Sequence, residues 1–251
     1  MNEQDICLDN IIYKCYAGSL IYGTNHSDSD VDTRGICIMP KNFYYGLKRF
    51  EHYEQKGNKE KNIDDMTIYD IRKFFQLAMG CNPNIIELLF VAPQHIITNS
   101  NIGKKIIANR DLFLSQKLYH TFKGYAWAQK QKILEKNPVG ARKEIVDKYG
   151  YDVKFSLHLL RLMHEAVELL KSGSLTLPLY CNKELLDLRM GKWKFDDVMK
   201  KFEDLEKMVD DLYVKTPLPH HSDINKIDAL LVECIEEHWE RTRVSKGMGF
   251  E

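Results

Sequence analysis

The segment AGSLIYGTNHSDSDVDTRGI, residues 17–36, contains the residues that decide the fold and point to a chemistry. Asp30 and Asp32 are two positions apart on a predicted strand, so both carboxylates leave the same face of the sheet. Adjacent like charges repel, and a hard divalent cation such as Mg²⁺ offsets that repulsion because it prefers carboxylate and phosphate oxygens. In a two-metal site, such a pair aligns an attacking hydroxyl with an α-phosphate and stabilises the pyrophosphate that leaves.

A Gly-Ser pair precedes these aspartates, at the end of an earlier predicted strand. Gly18 lets backbone N–H groups approach a phosphate, and the hydroxyl of Ser19 adds a donor. Each pattern is common by chance, so Asp28, Asp30 and Asp32 are also consistent with the polar residues of a turn and an edge strand. The spacing of the two patterns, with a strand predicted at each, favours a phosphate-handling site.

Short β-rich runs separated by Gly, Asn, Asp and Pro make up the first part of the chain. The runs at 11–18 and 31–39 predict strands, and Pro40 ends the second. The polar stretch KGNKEKNIDD, residues 56–65, is typical of an exposed loop or hairpin.

Two short helices are predicted after that loop. Thr67 and Asp70 resemble a capping box that starts the first helix, which Gly80 ends. The inward-facing residues of that helix are expected to be Ile71, Phe74, Phe75 and Ala78. The run NPNIIELLF, residues 82–90, predicts the second helix, with Pro83 in its first turn.

From about residue 112 onward the pattern is almost wholly helical. Apolar residues at helical spacing predict helices over 114–136, 151–173 and 195–213, and a last helix that Ser222 caps. We expect their apolar faces to form the core. The residues therefore predict a small α/β unit followed by a helical unit.

Composition and charge exclude several classes of protein. The 251 residues include 36 basic and 36 acidic side chains, so any site for a polyanion must be local. No apolar run approaches the roughly 20 residues that span a membrane, and the first residues lack the pattern of a secretion signal. The cysteines are scattered without a C-x-x-C pair, and His220 and His221 lie in a predicted loop, which disfavours a zinc site. Reduced thiols in the cytoplasm fit this usage.

Three segments together resemble a known family. They are GSLIYGTNHSDSDVDTRG (18–35), TIYDIRKFFQLAMGCNPNIIELLF (67–90) and KYGYDVKFSLHLLRLMHEAVELLKSGSLTLPL (148–179), and their order and spacing fit. The first matches the signature of the polymerase-β-type nucleotidyltransferase superfamily, a Gly-Ser pair followed after a spacer by D-x-D. The three together resemble predicted bacterial and phage nucleotidyltransferases described as polymerase-β-like proteins of RNA-repair pathways.

This resemblance implies a nucleotidyltransferase fold of the α/β (α+β) class. A small mixed sheet with flanking helices would occupy residues 1–111, and a helical domain over 112–251 would close the cleft. The resemblance also implies Mg²⁺- or Mn²⁺-dependent transfer of a nucleoside monophosphate from a nucleoside triphosphate, which Gly18 and Ser19 would bind. An RNA end is the expected acceptor. The alternatives are a protein side chain, a small molecule, or a non-catalytic binding module of the same fold, and the oligomeric state stays open.

Enzymes of this kind usually recruit a third carboxylate from a neighbouring strand. The resemblance places Asp65 in that position beside the metal ligands Asp30 and Asp32, with Asp64 as the alternative. A loop aspartate without a role is equally consistent with the sequence. Arg34 lies two positions after Asp32 and therefore on the same face, where it would contact a phosphate or be a plain edge-strand arginine.

A polar stripe lies on the predicted helix 151–173. Lys154, His158, Arg161 and Glu165 follow one another at 4-3-4 spacing, which places them on one narrow face. Periodicity alone favours the solvated side of an amphipathic helix. The resemblance instead places the stripe on the wall of the cleft, where Lys154, His158 and Arg161 would bind the nucleotide. Lys154 and Arg161 would hold either its triphosphate or the phosphates of the acceptor.

Two further groups of residues carry weaker signals. Asn82 and Glu87 match the family's pattern; Asn82 also suits a helix cap, and Glu87 is expected to orient Arg34 or a lysine. A basic, aromatic group on helix 114–136 suits the stacking of single-stranded bases, although ordinary amphipathic exposure explains it more simply. This group comprises Tyr125, Trp127, Lys130, Lys132 and Lys136.

Overall fold

The computed structural model describes residues 2–25, 29–58, 63–135 and 138–245. Strands and helices alternate in the first part of these residues, and helices alone follow the last strand. The strands are β1 (Ile11–Ala17), β2 (Asp32–Cys37), β3 (His52–Gln55), β4 (Asp65–Asp70) and β5 (Ile96–Asn99). The helices are α1 (Glu3–Asp9), α2 (Ser19–Tyr22), α3 (Ile71–Met79), α4 (Pro83–Ile86), α5 (Asn101–Ala108), α6 (Lys117–Ile133), α7 (Ala141–Tyr149), α8 (Val153–Ser172), α9 (Asn182–Arg189), α10 (Phe195–Lys215) and α11 (Ile224–Ser245).

The strands form one sheet in the order β3-β4-β2-β1-β5. β2 and β4 run parallel, whereas the other neighbours are antiparallel, so the predicted mixed sheet is confirmed. The parallel register pairs Asp32 with Asp65, the first residues of their strands. Because paired residues of parallel strands project to the same face, two carboxylates come side by side at this end of the sheet.

The strands predicted at 11–18 and 31–39 are confirmed as β1 and β2, with slightly shorter bounds. The prediction that Asp30 lies on the second strand is wrong, because β2 begins at Asp32 and Asp30 precedes it. The polar stretch 56–65 connects the antiparallel strands β3 and β4 as a hairpin, and its central residues lie outside the described part of the chain. A bridge between Asn58 and Ile63 closes the hairpin.

The capping box predicted at Thr67 and Asp70 is wrong. Residues Asp65–Asp70 form β4 instead, because alternate side chains of DMTIYD are buried, and this period of two belongs to a strand. Asp70 itself caps α3, since its carboxylate accepts a hydrogen bond from the N–H of Arg72 at 3.0 Å. The prediction for the helix is confirmed from there on, with Gly80 just past its end. Its buried residues are Ile71, Phe74, Phe75 and Ala78.

The helices predicted over 114–136, 151–173 and 195–213 are confirmed as α6, α8 and α10. α8 lies in the middle of the helical region and packs against α6, α9 and α10. Burial on several sides explains why this helix, unlike a surface helix, carries few exposed residues.

Ser222 is not the cap of the last helix. The carboxylate of Asp223 accepts hydrogen bonds from the N–H groups of Asn225 and Lys226 at 3.1 and 3.2 Å, which is the geometry of a helix cap. The hydroxyl of Ser222 is used elsewhere, since it donates to the carbonyl of Phe113 at 3.3 Å. The cap therefore lies one residue later than predicted.

A continuous apolar core joins the sheet to the helices. It includes Ile12 of β1, Ile36 of β2, Phe122 of α6, Leu160 of α8 and Val198 of α10, each at most 2% exposed. The helical region thus packs directly onto the sheet region, and the division into two domains stays a prediction. Within the described residues, no helix is both long and apolar enough to cross a membrane.

Candidate active site

The chain turns sharply at Gly18, between the end of β1 and the start of α2. Gly18 has φ +64°, a conformation that favours glycine. A Cβ added to Gly18 would overlap Oδ2 of Asp32, which is the register partner of Ala17. The glycine is therefore required twice, by the backbone conformation and by the close approach of the Asp32 carboxylate. Ser19 follows as the first residue of α2.

Three aspartates interact at this end of β2 and β4. Burial raises the pKa of Asp32, and the negative charges of Asp65 and Asp30 raise the pKa further. Arg34 and Lys154 oppose this effect. Asp32 is therefore the carboxylate whose ionised form a bound cation would stabilise most directly.

Asp65 begins β4 and pairs with Asp32, which is the neighbouring-strand position expected of a third carboxylate. Its own carboxylate is exposed and accepts a hydrogen bond from the N–H of Gly57 at 2.8 Å. Asp64 is also exposed, and its carbonyl accepts from the side chain of Gln55 at 3.1 Å. The choice between Asp65 and Asp64 as a ligand stays a prediction, although the register places Asp65 nearer to Asp32.

A cavity of about 400 Å³ has one wall from the sheet region and one from the helical region. Its volume is in the range of about 300–1,000 Å³ that is usual for small-molecule sites. Every predicted site residue except Asp65 lines it. These residues are Gly18, Ser19, Asp30, Asp32, Arg34, Lys154, His158 and Arg161. The motif near the N-terminus and the stripe on α8 thus share one cavity.

The interpretation of the α8 stripe as a solvated face is wrong. Glu165 is fully buried, Arg161 is 3% exposed and His158 is half-buried, whereas Lys154 is exposed. The reason is that neighbouring helices enclose α8, so that the stripe faces the cavity at one end and the protein interior at the other.

Glu87 connects the two arginines of the cavity. Its Oε1 accepts a hydrogen bond from Nη1 of Arg34 at 3.2 Å, and its Oε2 accepts from Nη1 of Arg161 at 2.9 Å. The hydroxyl of Tyr22 donates to the same Oε2 at 2.6 Å. The expected pairing of Glu87 with Arg34 is confirmed. Asn82 is confirmed as the cap of α4, because its side chain accepts from the backbone of the helix.

A second glutamate completes the charge balance of Arg161. Nη1 of Arg161 lies 2.8 and 3.1 Å from the two carboxylate oxygens of Glu165. Burial raises the pKa of Glu165 to about 7, although Arg161 opposes that shift. Two carboxylates thus hold Arg161 in place, so its main effect is to position the wall of the cavity rather than to supply an uncompensated positive charge.

The cationic character of the helical wall comes from other side chains. Burial lowers the pKa of His158 to about 3, with further lowering by Arg161 and Lys154, so this imidazole is neutral at pH 7. Lys154 is exposed and lines the cavity, and no ion pair of its side chain is seen among the described residues. Arg189, the last residue of α9, also lines the cavity and donates to the carbonyl of Thr24 at 2.7 Å.

Several cavity residues were missed by sequence reasoning. Arg189 is a lone arginine at a helix end, and no spacing rule distinguishes it from a surface residue. No sequence pattern marks Tyr22 as a cavity residue either, because its partner Glu87 is distant in the chain. Further polar residues that line the cavity and carried no site prediction are Thr24, Asn84 and Gln129.

The basic, aromatic group expected on α6 is divided between two environments. Tyr125 lines the cavity, whereas Trp127 is exposed with Nζ of Lys130 at 5.8 Å from its ring centre. Nζ of Lys132 lies 5.0 Å from the ring centre of Phe155, a residue of the cavity wall. Lys136 lies outside the described residues, and a role in base stacking stays a prediction.

Two carboxylates of the cavity suit a divalent cation, whereas the paired histidines do not. His220 and His221 are both exposed, and no group of three His, Cys, Asp or Glu side chains in the described ranges is arranged to hold a metal ion. Asp30 and Asp32, however, both line the cavity. Mg²⁺ is commonly bound by one or two carboxylates together with substrate phosphates and water, so the chemistry of this pair fits that ion.

A comparison with known protein families identifies the chain. A model of the RNA repair pathway DNA polymerase beta family matches residues 1–233. The chain belongs to this family. The resemblance drawn from the three sequence segments is thereby confirmed, as is the fold class of a mixed sheet with helices followed by a helical region.

Two individual proteins are also similar to this member of the RNA repair pathway DNA polymerase beta family. An uncharacterized 38.9 kDa protein from the nrdC–mobD intergenic region of Enterobacteria phage T4 is 27% identical over 129 residues. That match includes 48% of this chain and spans only 38% of the phage protein. A crystal structure of a nucleotidyltransferase-like protein from Exiguobacterium sibiricum is 11% identical, covers 94% of this chain and 74% of its own, and has a TM-score of 0.31.

Proposed function

We propose that this chain is a metal-dependent nucleotidyltransferase that moves a nucleoside monophosphate from a nucleoside triphosphate to an RNA end. One observation carries the proposal: Asp30 and Asp32 line the same cavity as the Gly18-Ser19 turn and the cation of Lys154. Carboxylates for a metal, a tight turn for phosphates and a facing lysine are the groups that phosphoryl transfer needs. Membership of the RNA repair pathway DNA polymerase beta family supports it.

In this proposal, separate groups of residues bind the metal ion and the triphosphate. Asp30 and Asp32, with Asp65 as the third candidate, would hold Mg²⁺ or Mn²⁺, which polarises the α-phosphate and offsets charge on the leaving pyrophosphate. Gly18 and Ser19 would contact the triphosphate, and Lys154 would neutralise part of its charge. The acceptor hydroxyl oxygen bonds to the α-phosphorus, the bond from that phosphorus to the bridging oxygen breaks, pyrophosphate leaves and the hydroxyl proton passes to water.

Arg34, Arg161 and His158 have supporting roles in this proposal. Glu87 pairs with both arginines, so they would hold the shape of the cavity wall rather than supply an uncompensated charge to the substrate. Neutral His158 would offer a ring nitrogen for a hydrogen bond rather than a charge. We place the enzyme in the cytoplasm, because all six cysteines are buried free thiols, as a reducing compartment maintains.

The test follows the α-phosphate. Wild type and Asp32→Asn are incubated with nucleoside triphosphates labelled at the α-phosphate, Mg²⁺, and cellular RNA and protein together. The proposal predicts label on an RNA terminus with wild type and none with Asp32→Asn. Label on protein would support nucleotidyl transfer but show that a protein side chain, not RNA, is the acceptor. Label on a small molecule would likewise change only the identity of the acceptor. Label that stays in the nucleotide under every condition would contradict nucleotidyl transfer.

A further inference from the structure

One part of the cavity is lined by an aromatic ring and two carboxamides that the phosphate chemistry does not use. They are Tyr125 and Gln129 of α6 and Asn84 of α4. Tyr125 and Gln129 are one helical turn apart, which places them next to each other on the same face of α6. A ring and a carboxamide side by side present a stacking surface and a hydrogen-bonding edge to the same space.

The position of this group relative to the aspartates suits the base of a nucleotide. Asn84 is next to Arg34, because Nη1 of Arg34 donates to the Asn84 carbonyl at 3.0 Å. Arg34 is two residues along β2 from Asp32, a distance of roughly 7 Å in a strand. Since Asp32, Arg34 and Asn84 line the same cavity, a nucleotide with its α-phosphate at Asp32 would extend its sugar and base past Arg34 toward Asn84.

The ring of Tyr125 is held in place before any ligand binds. The side-chain amide of Asn82 donates to the Tyr125 hydroxyl at 2.8 Å. The carbonyl of the same Asn82 side chain accepts from the N–H of Asn84 at 3.1 Å. Both ends of the Asn82 side chain are thus hydrogen-bonded, and Asn82 in turn fixes the Tyr125 hydroxyl. Because the ring is already oriented, a base that stacks on it costs little further side-chain entropy.

The two carboxamides are available for a ligand. Among the residues that the structure describes, neither Asn84 nor Gln129 has a side-chain hydrogen bond, although both line the cavity. The nearby arginines are less available to a ligand, because Arg34 and Arg161 both pair with Glu87. A carboxamide matches the adjacent acceptor and donor of adenine, N7 and the N6 amino group, whereas the two acceptors N7 and O6 of guanine favour Arg or Lys.

We propose that Tyr125, Gln129 and Asn84 form a subsite that selects the adenine base of the nucleoside triphosphate. This inference rests on the proposed function, because it identifies the substrate of the same cavity as ATP. Tyr125 stacks on the base, and the carboxamides of Gln129 and Asn84 form hydrogen bonds with N7 and the N6 amino group at its edge. The phosphate-binding residues then act on any nucleoside triphosphate, and the choice of base is made on α6 and α4.

The test compares the affinities of ATP, GTP, CTP and UTP, each with Mg²⁺, by titration calorimetry. Inorganic tripolyphosphate is the probe that has phosphates and no base. Wild type is expected to bind ATP most tightly. Gln129→Leu and Tyr125→Ala are each expected to weaken ATP at least about fivefold, the lower end of what one stacked base contributes, and to leave tripolyphosphate unchanged. Gln131→Leu is the matched control, since Gln131 is exposed on the same helix outside the cavity lining.

The outcomes separate this inference from the proposed function. Equal affinity of wild type for all four nucleotides would overturn the adenine subsite, as would a preference for ATP that survives in both variants. Tripolyphosphate binding as tight as ATP binding would keep the phosphate site and reject the subsite. If wild type binds neither ATP nor tripolyphosphate, the proposed function fails and the inference fails with it.

Discussion

The carboxylate of Asp32 occupies the space that a side chain on residue 18 would need, so a Cβ at Gly18 overlaps Oδ2 of Asp32. Gly18→Ala is therefore expected to displace this carboxylate and to lower nucleotidyl transfer at least tenfold, about 1.4 kcal/mol of transition-state stabilisation. The Gly-favouring backbone conformation adds a loss of stability of about 1–3 kcal/mol. Transfer kinetics and a denaturant titration measure the two effects.

Gly140 provides a control for the backbone effect alone. Its φ of 59° and ψ of −141° match the 64° and −144° of Gly18, yet among the described residues no atom beyond its chain neighbours lies within 4 Å of an added Cβ. Gly140→Ala should lose similar stability and keep full transfer activity. Equal loss of activity in both variants would show that strain, not the displaced Asp32 carboxylate, explains the result.

Arg161 pairs with two buried glutamates, so its removal is expected to destabilise the fold as well as the site. Arg161→Ala leaves Glu165 without its partner in the interior and leaves Glu87 paired with Arg34 alone, which should cost about 3–5 kcal/mol in the free energy of unfolding. Lys171→Ala, at an exposed position of the same helix, should change that free energy by less than about 0.5 kcal/mol. Similar denaturant midpoints for the two variants would contradict the buried network.

Acid is expected to destabilise the protein through its buried histidines. Burial lowers the pKa of His164 to about 4, below the unfolded value of about 6.5. As the pH is lowered below 6.5, the unfolded chain takes up the proton before the folded protein does. The free energy of unfolding therefore decreases until the folded histidine also protonates near pH 4. Between pH 7 and 5 this loss is about 2 kcal/mol for one histidine.

A variant isolates this contribution from other titrating groups. The raised pKa of Glu165 acts in the opposite sense, because that group favours the folded state below pH 7 and loses this effect as pH rises through about 7. His164→Asn can keep a contact to the hydroxyl of Tyr180, which lies 2.6 Å from Nδ1 of His164. The difference in stability between pH 7 and pH 5 should change by about 2 kcal/mol in this variant relative to wild type. An unchanged difference would refute the assignment.

RNA affinity is expected to be weak and sensitive to salt. The chain has no net charge, so phosphates must be held by the few cations that line the cavity, such as Lys154 and Arg189, or lie behind its wall, such as Lys132. For a single strand, about three neutralised phosphates give a log–log slope near −2. Fluorescence anisotropy over a series of salt concentrations measures that slope. A slope of zero would argue against RNA as the acceptor.

The strands β1 and β2 and the paired aspartates could be predicted from the sequence, because the patterns that indicate them lie within a few neighbouring residues. Strand alternation identified β1 and β2, and the two-residue spacing of Asp30 and Asp32 led to a pair that lines one cavity. The start of α3 was misjudged because Thr67 and Asp70 satisfy a capping pattern, while the burial that makes this segment a strand depends on its neighbours in the sheet. Local patterns do not reveal such pairing.

The helical wall was harder to predict for the same reason. Spacing showed that Lys154 and Arg161 share a face, but whether that face meets solvent depends on how neighbouring helices enclose α8. The link from Arg161 to Glu87 joins residues far apart in the chain, and Arg189 reaches the cavity only through the packing of α9. Periodicity cannot place such residues, since contacts that are distant in sequence determine them.

Metal binding at Asp30 and Asp32 is the central claim, and Mn²⁺ titration followed by electron paramagnetic resonance tests it most directly. Mn²⁺ is added to wild type, Asp30→Asn and Asp32→Asn with a non-hydrolysable nucleoside triphosphate analogue present. The account predicts saturable binding by wild type and at least tenfold weaker binding by each variant, about 1.4 kcal/mol or more. Equal Mn²⁺ affinity in all three folded proteins would contradict it.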